Sequence, residues 1–408
     1  MIINYAKTLQ RSKEESEKWQ ARITRINNKL CDEYYPEREN HTIIVGSVGR
    51  GTAVSNTSDY DVIFKLPYSV FKKFDSYESN GQSQLLQEIR NIIMDLHPKT
   101  DIKGDGQVVS IEYKDGVIEL VPGFEQTDGS YKYPDSKDGG SWKITKPIPE
   151  IEESNKQSKN STQYFNYLCY LIRQWKNYMG FSFKGLLIDT LIAKYLDEET
   201  YANKTELKLL EDCFVFFSKE NKEQAFWYAL GSNQKIYNRD EGLFVTKAKK
   251  IVKKFEDCTE EEILKEVFGY KQSESKSANE EFIEDKFIVD IQYNLIIDCD
   301  VFQDGFRGMK LSKYINSKFR LGRGKTLNFS VVSTNIPTNL SIKYFWKVRN
   351  VGREAVGKER GQIFLGEFSL TEHTNFNGNH YVECYAVHED IVIARSKIKV
   401  PIDVVKGI

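Results

Sequence analysis

Cysteine is sparse and unpatterned in this sequence. Cys31, Cys169, Cys213, Cys258, Cys299 and Cys384 are scattered, with no Cys-x-x-Cys and no histidine pair nearby. That excludes a structural zinc site and a disulfide framework, and leaves buried, reduced thiols such as a cytoplasmic protein carries. Long apolar runs are missing too: none approaches the ~20 residues that a membrane helix needs. Met1-Ile2-Ile3-Asn4-Tyr5-Ala6-Lys7 lacks a basic segment followed by an apolar stretch, so no signal peptide is expected. Net charge is nearly absent, with 58 Lys+Arg against 59 Asp+Glu, and nothing global marks a nucleic-acid binder.

What remains is a chain of 408 residues, 40% hydrophobic and 29% charged, long enough for two or three domains with their own cores. Its most informative stretch is Gly46-Ser47-Val48-Gly49-Arg50-Gly51-Thr52, followed by Ser58-Asp59-Tyr60-Asp61-Val62-Ile63-Phe64. His41–Val45 reads as a strand entering a glycine-rich turn. Residues two apart on a strand share a face, so Asp59 and Asp61 project together. Such close carboxylates repel unless a cation lies between them. Mg²⁺ takes a few carboxylates and completes its shell with phosphate oxygens. A small-residue turn with backbone N–H groups aimed at an anion supplies the other half. Gly-Ser followed, twelve residues beyond the Ser, by Asp-x-Asp is far more specific than either piece alone. The pattern describes a site for a metal-bound nucleoside triphosphate.

Other signals come from periodicity. Leu9, Trp19, Ile23, Ile26 and Leu30 mark a covering helix within 4–35, and Leu85–Leu96 a helix started by Ser83 and ended before Pro98. Lys114-Asp115-Gly116 between Val108–Tyr113 and Val117–Phe124 signals a hairpin. Residues 125–161 read as a long loop of the kind that is often functional. Residues 161–179 form a helix with Arg173 and Lys176 neighbours on one side. Lys271–Glu280 is serine-rich and aperiodic, a linker. Beyond it the period falls to two: Phe287 through Val301 alternate, and further strand-like runs follow at 326–333, 340–349, 362–369, 380–387 and 391–400. These imply an antiparallel β-sandwich.

The Gly46-Ser47 and Asp59-x-Asp61 motif resembles that of the polymerase-β-like nucleotidyltransferases, and within them the cGAS/DncV-like enzymes (CD-NTases) of bacterial antiphage defence. The C-terminal text, including Trp346–Asn350 and Gly378–Tyr385, resembles the AGS-C domain, proposed to be a sensor. The resemblance implies an α+β fold: a catalytic lobe with an N-terminal helix over 1–160, a helical lobe over 161–270, a linker over 271–280 and a β-rich domain over 281–408. It implies two Mg²⁺ ions, with Mn²⁺ as a substitute, on Asp59, Asp61 and a third acid before Val-Pro. That acid is Glu119, with Glu112 as the competitor on the partner strand. Gly46, Ser47, Arg50, Arg173, Lys176, Ser232 and Asn233 are the implied nucleotide-binding residues, and Tyr133 or Trp142 could stack on a base. Where the family has Ser before an aromatic, Gly185 stands here. The implied activity is template-independent synthesis of a cyclic or linear oligonucleotide second messenger from NTPs or dNTPs, read by a nucleotide-gated effector protein. Alternatives are a Hailong-type polymerase of single-stranded DNA from dNTPs, a nucleotidyltransferase modifying tRNA or protein, and a degenerate binding module. The intact Asp59 and Asp61 argue against the last.

Overall fold

The computed structural model describes the chain except residues 56, 58, 97–100, 114, 199–203, 271–279, 304–305, 318–320, 323, 352–354, 356–359, 375–377, 379 and 403–408. Ser58, Pro98, Lys114 of the expected hairpin, most of the expected linker and Asn379 therefore lie outside the described residues. The chain divides into two compact units, Met1–Gln174 with Lys184–Ile263, and Trp175–Phe183 with Leu264–Ile408. The stretches expected as catalytic and helical lobes thus fall largely in one unit.

The first unit opens with two helices where one was expected, α1 (Ile2–Thr8) and α2 (Lys13–Tyr34). The break has a local cause: Ser12 adopts an extended conformation and caps α2 by accepting the Glu15 N–H at 3.0 Å. Then come β1 (Thr42–Ile44), α3 (Gly46–Gly49), β2 (Asp59–Lys65), α4 (Tyr68–Asp75), α5 (Gly81–Leu96), β3 (Asp101–Asp105), β4 (Val108–Tyr113) and β5 (Gly116–Glu125). These strands form one sheet in the order β1-β2-β5-β4-β3, and only β2 and β5 run parallel. The alternation of β2 buries Tyr60, Val62 and Phe64 on the face covered by α2 and α5, where Trp19, Ile23, Leu85 and Ile89 complete the core. Trp19 stacks on Tyr60 at 4.0 Å between centroids. That leaves Asp59 and Asp61 on the opposite face.

The loop expected over 125–161 is instead ordered. β6 (Tyr131–Asp135) pairs with the end of β5 and with β7 (Ser141–Thr145), and α6 (Pro147–Asn160) follows. The proline at the first turn of α6 is suited to a helix start, where no N–H partner is needed. After α6 come α7 (Tyr164–Met179), α8 (Gly185–Glu198), α9 (Glu206–Lys219), the short pair β8 (Phe226–Tyr228) and β9 (Lys235–Tyr237), α10 (Leu243–Phe255) and α11 (Glu260–Phe268). The last residues of α7 and of α11 count with the second unit.

The second unit holds β10 (Ile288–Val289), β11 (Leu295–Gln303), β12 (Phe306–Lys310), α12 (Leu311–Asn316), β13 (Thr326–Thr334), β14 (Lys343–Asn350), β15 (Arg360–Gly366), β16 (Ser369–His373), β17 (His380–His388) and β18 (Ile391–Val400). The sheets β10-β18-β17-β14-β15 and β12-β11-β13-β16 share one core, with Cys299 and Phe329 facing Trp346, Cys384 and Ala394. The sandwich is as expected, but its elements differ: β12 and α12 match no expected run, and the run expected over 362–369 ends at Gly366 with β16 following. The run from Phe287 to Val301 is two strands, and β10 pairs with β18 in parallel. The split falls at 290–294, where the Asp290, Gln292 and Tyr293 N–H groups turn to carbonyls of Val392 and Ile393.

Candidate active site

The parallel register of β2 and β5 sets Asp61 opposite Glu119, and Asp59 opposite Val117. In-register neighbours share a face, so Glu119 stands beside Asp61, with Asp59 two residues along. Burial first, and the Asp61 charge second, push the Glu119 carboxyl from 4.5 up to about 7. Among the described residues Glu119 has no hydrogen-bond or ion-pair partner. The competitor Glu112, opposite Val117 on β4, is committed elsewhere: Lys103 pairs with it at 2.9 Å.

Gly46 closes the same corner. Its φ is +61°, and a Cβ built there would lie 1.8 Å from Asp61 Oδ2. Only glycine lets the backbone approach that carboxylate in this conformation. The Val45 N–H donates to Asp61 O at 2.9 Å, tying β1 to β2 just before the turn. The expected glycine-rich turn is the single helical turn α3, in which the Arg50 N–H closes on Gly46 O at 3.1 Å. The first N–H groups of such a turn have no acceptor within it.

No group of three or more His, Cys, Asp or Glu side chains among the described residues is arranged to hold a metal ion. The donor set nonetheless fits Mg²⁺, which is bound through one or two carboxylates plus phosphate oxygens rather than by an all-protein cage. Two adjacent carboxylates, one held up at about 7 by burial and by the charge of the other, are such a donor set.

Of the residues expected to bind the triphosphate, Arg50, Arg173 and Ser232 are taken up by two buried acids, Asp189 and Glu150, whereas Lys176 and Asn233 make other contacts. Arg173 is 5% exposed and donates to Asp189 Oδ1 at 2.7 Å and Oδ2 at 3.0 Å. Arg50, 6% exposed, donates through Nε to Asp189 Oδ2 at 2.9 Å and lies 3.5 Å from Glu150. Ser232 donates to Glu150 at 2.9 Å. Gly185 contributes its carbonyl, 3.2 Å from Arg173 Nη2. Asn233 is exposed, in left-handed conformation, with its N–H bonded to Ala229 O at 3.0 Å. Lys176 counts with the second unit, donates to Ile291 O at 2.7 Å and lies 3.6 Å from Asp290. Trp142 packs against Phe71 and Phe124 and donates to Asp75 at 2.9 Å, a packing role rather than a free stacking platform. Tyr133 is half-buried on β6.

Asp189 is the member that the sequence left without a role. Its side chain is fully buried, at 0% exposure. Burial alone would raise its carboxyl, but the charges of Arg173 and Arg50 outweigh that and hold it down at about 2. The available signal was a single acid in the apolar run Leu186–Ile192, since an unpaired charge does not survive such burial. A cavity of about 320 Å³ lies between α2, α7 and the segment after α3, lined by Arg11, Val48, Gly51, Asn166 and Tyr170 among others, and includes none of the carboxylates.

Residues 2–158 match the Second Messenger Oligonucleotide or Dinucleotide Synthetase domain, and residues 277–403 the Adenylyl/Guanylyl and SMODS C-terminal sensor domain. Among solved structures, CdnC of E. coli MS115-1 in complex with HORMA-deltaN is similar in fold, at 16% identity and TM-score 0.51, covering 66% of this chain and 96% of that one. The same CdnC with ATP gives 16% identity and TM-score 0.49 over 66% and 97%. Escherichia coli DncV in its 3'-deoxy GTP bound form gives 13% and 0.48 over 64% and 92%. No curated protein matches the chain.

Fold and domain content define the class as a nucleotidyltransferase. The chain belongs to the cGAS/DncV-like nucleotidyltransferases, with a C-terminal AGS-C sensor domain. Members of this family synthesise cyclic oligonucleotide second messengers and depend on divalent metal ions. No helix among the described residues is long and apolar enough to cross a membrane.

Proposed function

We propose that this chain is a template-independent nucleotidyltransferase that makes a nucleotide second messenger from nucleoside triphosphates for antiphage defence, its product read by a nucleotide-gated effector protein. The observation that carries the reading is the alignment of Asp61 with Glu119 across β2 and β5, with Gly46 pressed against Asp61. Asp59, Asp61 and Glu119 would hold two divalent ions. When bound, these would neutralise triphosphate charge and favour the alkoxide form of an attacking 2′- or 3′-hydroxyl. Glu119 would hold a cation as its carboxylate, and burial and the charge of Asp61 are what keep that carboxyl protonated up to about 7. Gly46 and Ser47 offer backbone and hydroxyl donors to phosphate oxygens. The protein's part is positioning and charge neutralisation, with no covalent step of its own.

The test is direct. The full chain is incubated with each labelled NTP and dNTP plus Mg²⁺ or Mn²⁺, with and without phage lysate, and products are resolved by chromatography beside Asp59→Ala/Asp61→Ala. Metal-dependent oligonucleotides lost in the double variant support the reading. A ladder formed from dNTPs alone would point instead to single-stranded DNA synthesis. Silence of the wild type under every condition would sink the proposal.

A further inference from the structure

We infer that Asp189 is a positioning residue of the triphosphate site, and that Arg50 and Arg173 serve it rather than gripping phosphate. The inference rests on the function proposed above and deepens it.

Two backbone carbonyls link the turn to Asp189. Gly46 O accepts the N–H of Arg50 at 3.1 Å, and Ser47 O accepts the N–H groups of Thr52 at 2.9 Å and Ala53 at 3.1 Å. The side chains of Arg50 and Thr52 then both end on one oxygen, Asp189 Oδ2, at 2.9 and 2.8 Å. The orientation of Gly46 and Ser47 is therefore set from behind by a single buried carboxylate. Arg173 completes the clamp: it holds both oxygens of Asp189 and donates to Thr52 Oγ1 at 3.0 Å. The Thr52 hydroxyl thus accepts from Arg173 and donates to Asp189, its ordinary capacity used across two elements. Two arginines face two acids, Asp189 and Glu150, so the cluster is formally neutral. Arg50 and Arg173 are also nearly fully buried, which leaves little of either guanidinium for a ligand.

Charge and geometry predict opposite signs for Asp189→Asn. If Arg50 and Arg173 gripped the triphosphate, removing their counter-charge would tighten nucleotide binding. If Asp189 positions Gly46 and Ser47, the loss weakens it. We expect Asp189→Asn to raise the Kd for Mg²⁺–ATP and Mg²⁺–GTP by ~10- to 100-fold, the size of a lost charged hydrogen bond acting on site geometry.

Thr52→Val tests the same link without altering charge, in case Asp189→Asn does not fold. It is expected to weaken binding ~10-fold, while Thr52→Ser, which keeps the hydroxyl, restores affinity to within about threefold of wild type. A purely structural role would move the melting temperature of Thr52→Val without moving the Kd of the folded protein. Titration calorimetry on the full chain reads Kd, and steady-state assays read KM against kcat, with KM carrying the change.

Asp189→Asn or Thr52→Val binding as tightly as wild type, or more tightly, would overturn the inference while leaving the proposed function standing. Absence of nucleotide binding by the wild type itself would overturn both.

Discussion

Glu119 offers the sharpest test of the site, because its carboxyl is held at about 7 against an ordinary 4.5. Between those values the folded protein retains a proton that the unfolded chain has released. Unfolding free energy therefore falls as pH rises through this window. The contribution is fully present below 4.5 and is lost as pH passes 7. At ~1.4 kcal/mol per pH unit, the displacement is worth about 3 kcal/mol. Glu119→Gln keeps the shape and removes the titration. Urea unfolding of both proteins in EDTA at pH 5, 6, 7 and 8 should then show a stability difference that changes by about 3 kcal/mol in favour of the variant as pH rises. Saturating Mg²⁺ at pH 8 should restore wild type by ~2–3 kcal/mol at about a hundred times Kd, and should do less for Glu119→Gln. A wild-type-minus-variant difference that stays flat from pH 5 to 8 would refute the claim that Glu119 is buried beside a second carboxylate.

Three further outcomes follow from the geometry. Asp61→Asn removes the acid shared by the Glu119 pair and the Gly46 contact, and should lower kcat/KM by ~10³ or more in the chromatographic assay, the several kcal/mol that a metal-held charge supplies. Gly46→Ala would drive a Cβ to 1.8 Å from Asp61 Oδ2 at a φ of +61°. It should cost ~1–3 kcal/mol by urea unfolding and abolish product formation; retained activity would contradict the close approach. Trp346→Ala empties the fully buried centre of the C-terminal core and removes the donor to Glu367 O at 2.8 Å. A loss of ~3–5 kcal/mol is expected in that unit's unfolding transition.

By itself the sequence determined what local pattern can encode. The Gly-Ser and Asp-x-Asp spacing, the hairpin around Asp115-Gly116 and the helical stripes are short-range signals, and they lie in the structure where their residues imply, except that Leu9 falls in the break between α1 and α2 and α5 begins at Gly81, ahead of Ser83. The choice of Glu119 over Glu112 could be framed on the chain. Only the pairing of β2 with β5 brought one of them beside Asp61, and only the fold gave Lys103 to the other. The ordered hairpin and helix over 131–160 were missed although Pro147 marked a helix start, because polar and glycine-rich residues outweighed that signal. Tertiary structure alone decided the Asp189 cluster. Arg50, Glu150, Arg173, Asp189 and Ser232 come from five separate segments, and no periodicity links them. Sequence could name two arginines as basic. Whether they face a ligand or a buried carboxylate depends on which chain segments burial brings together, since a charge withdrawn from water must find its partner there.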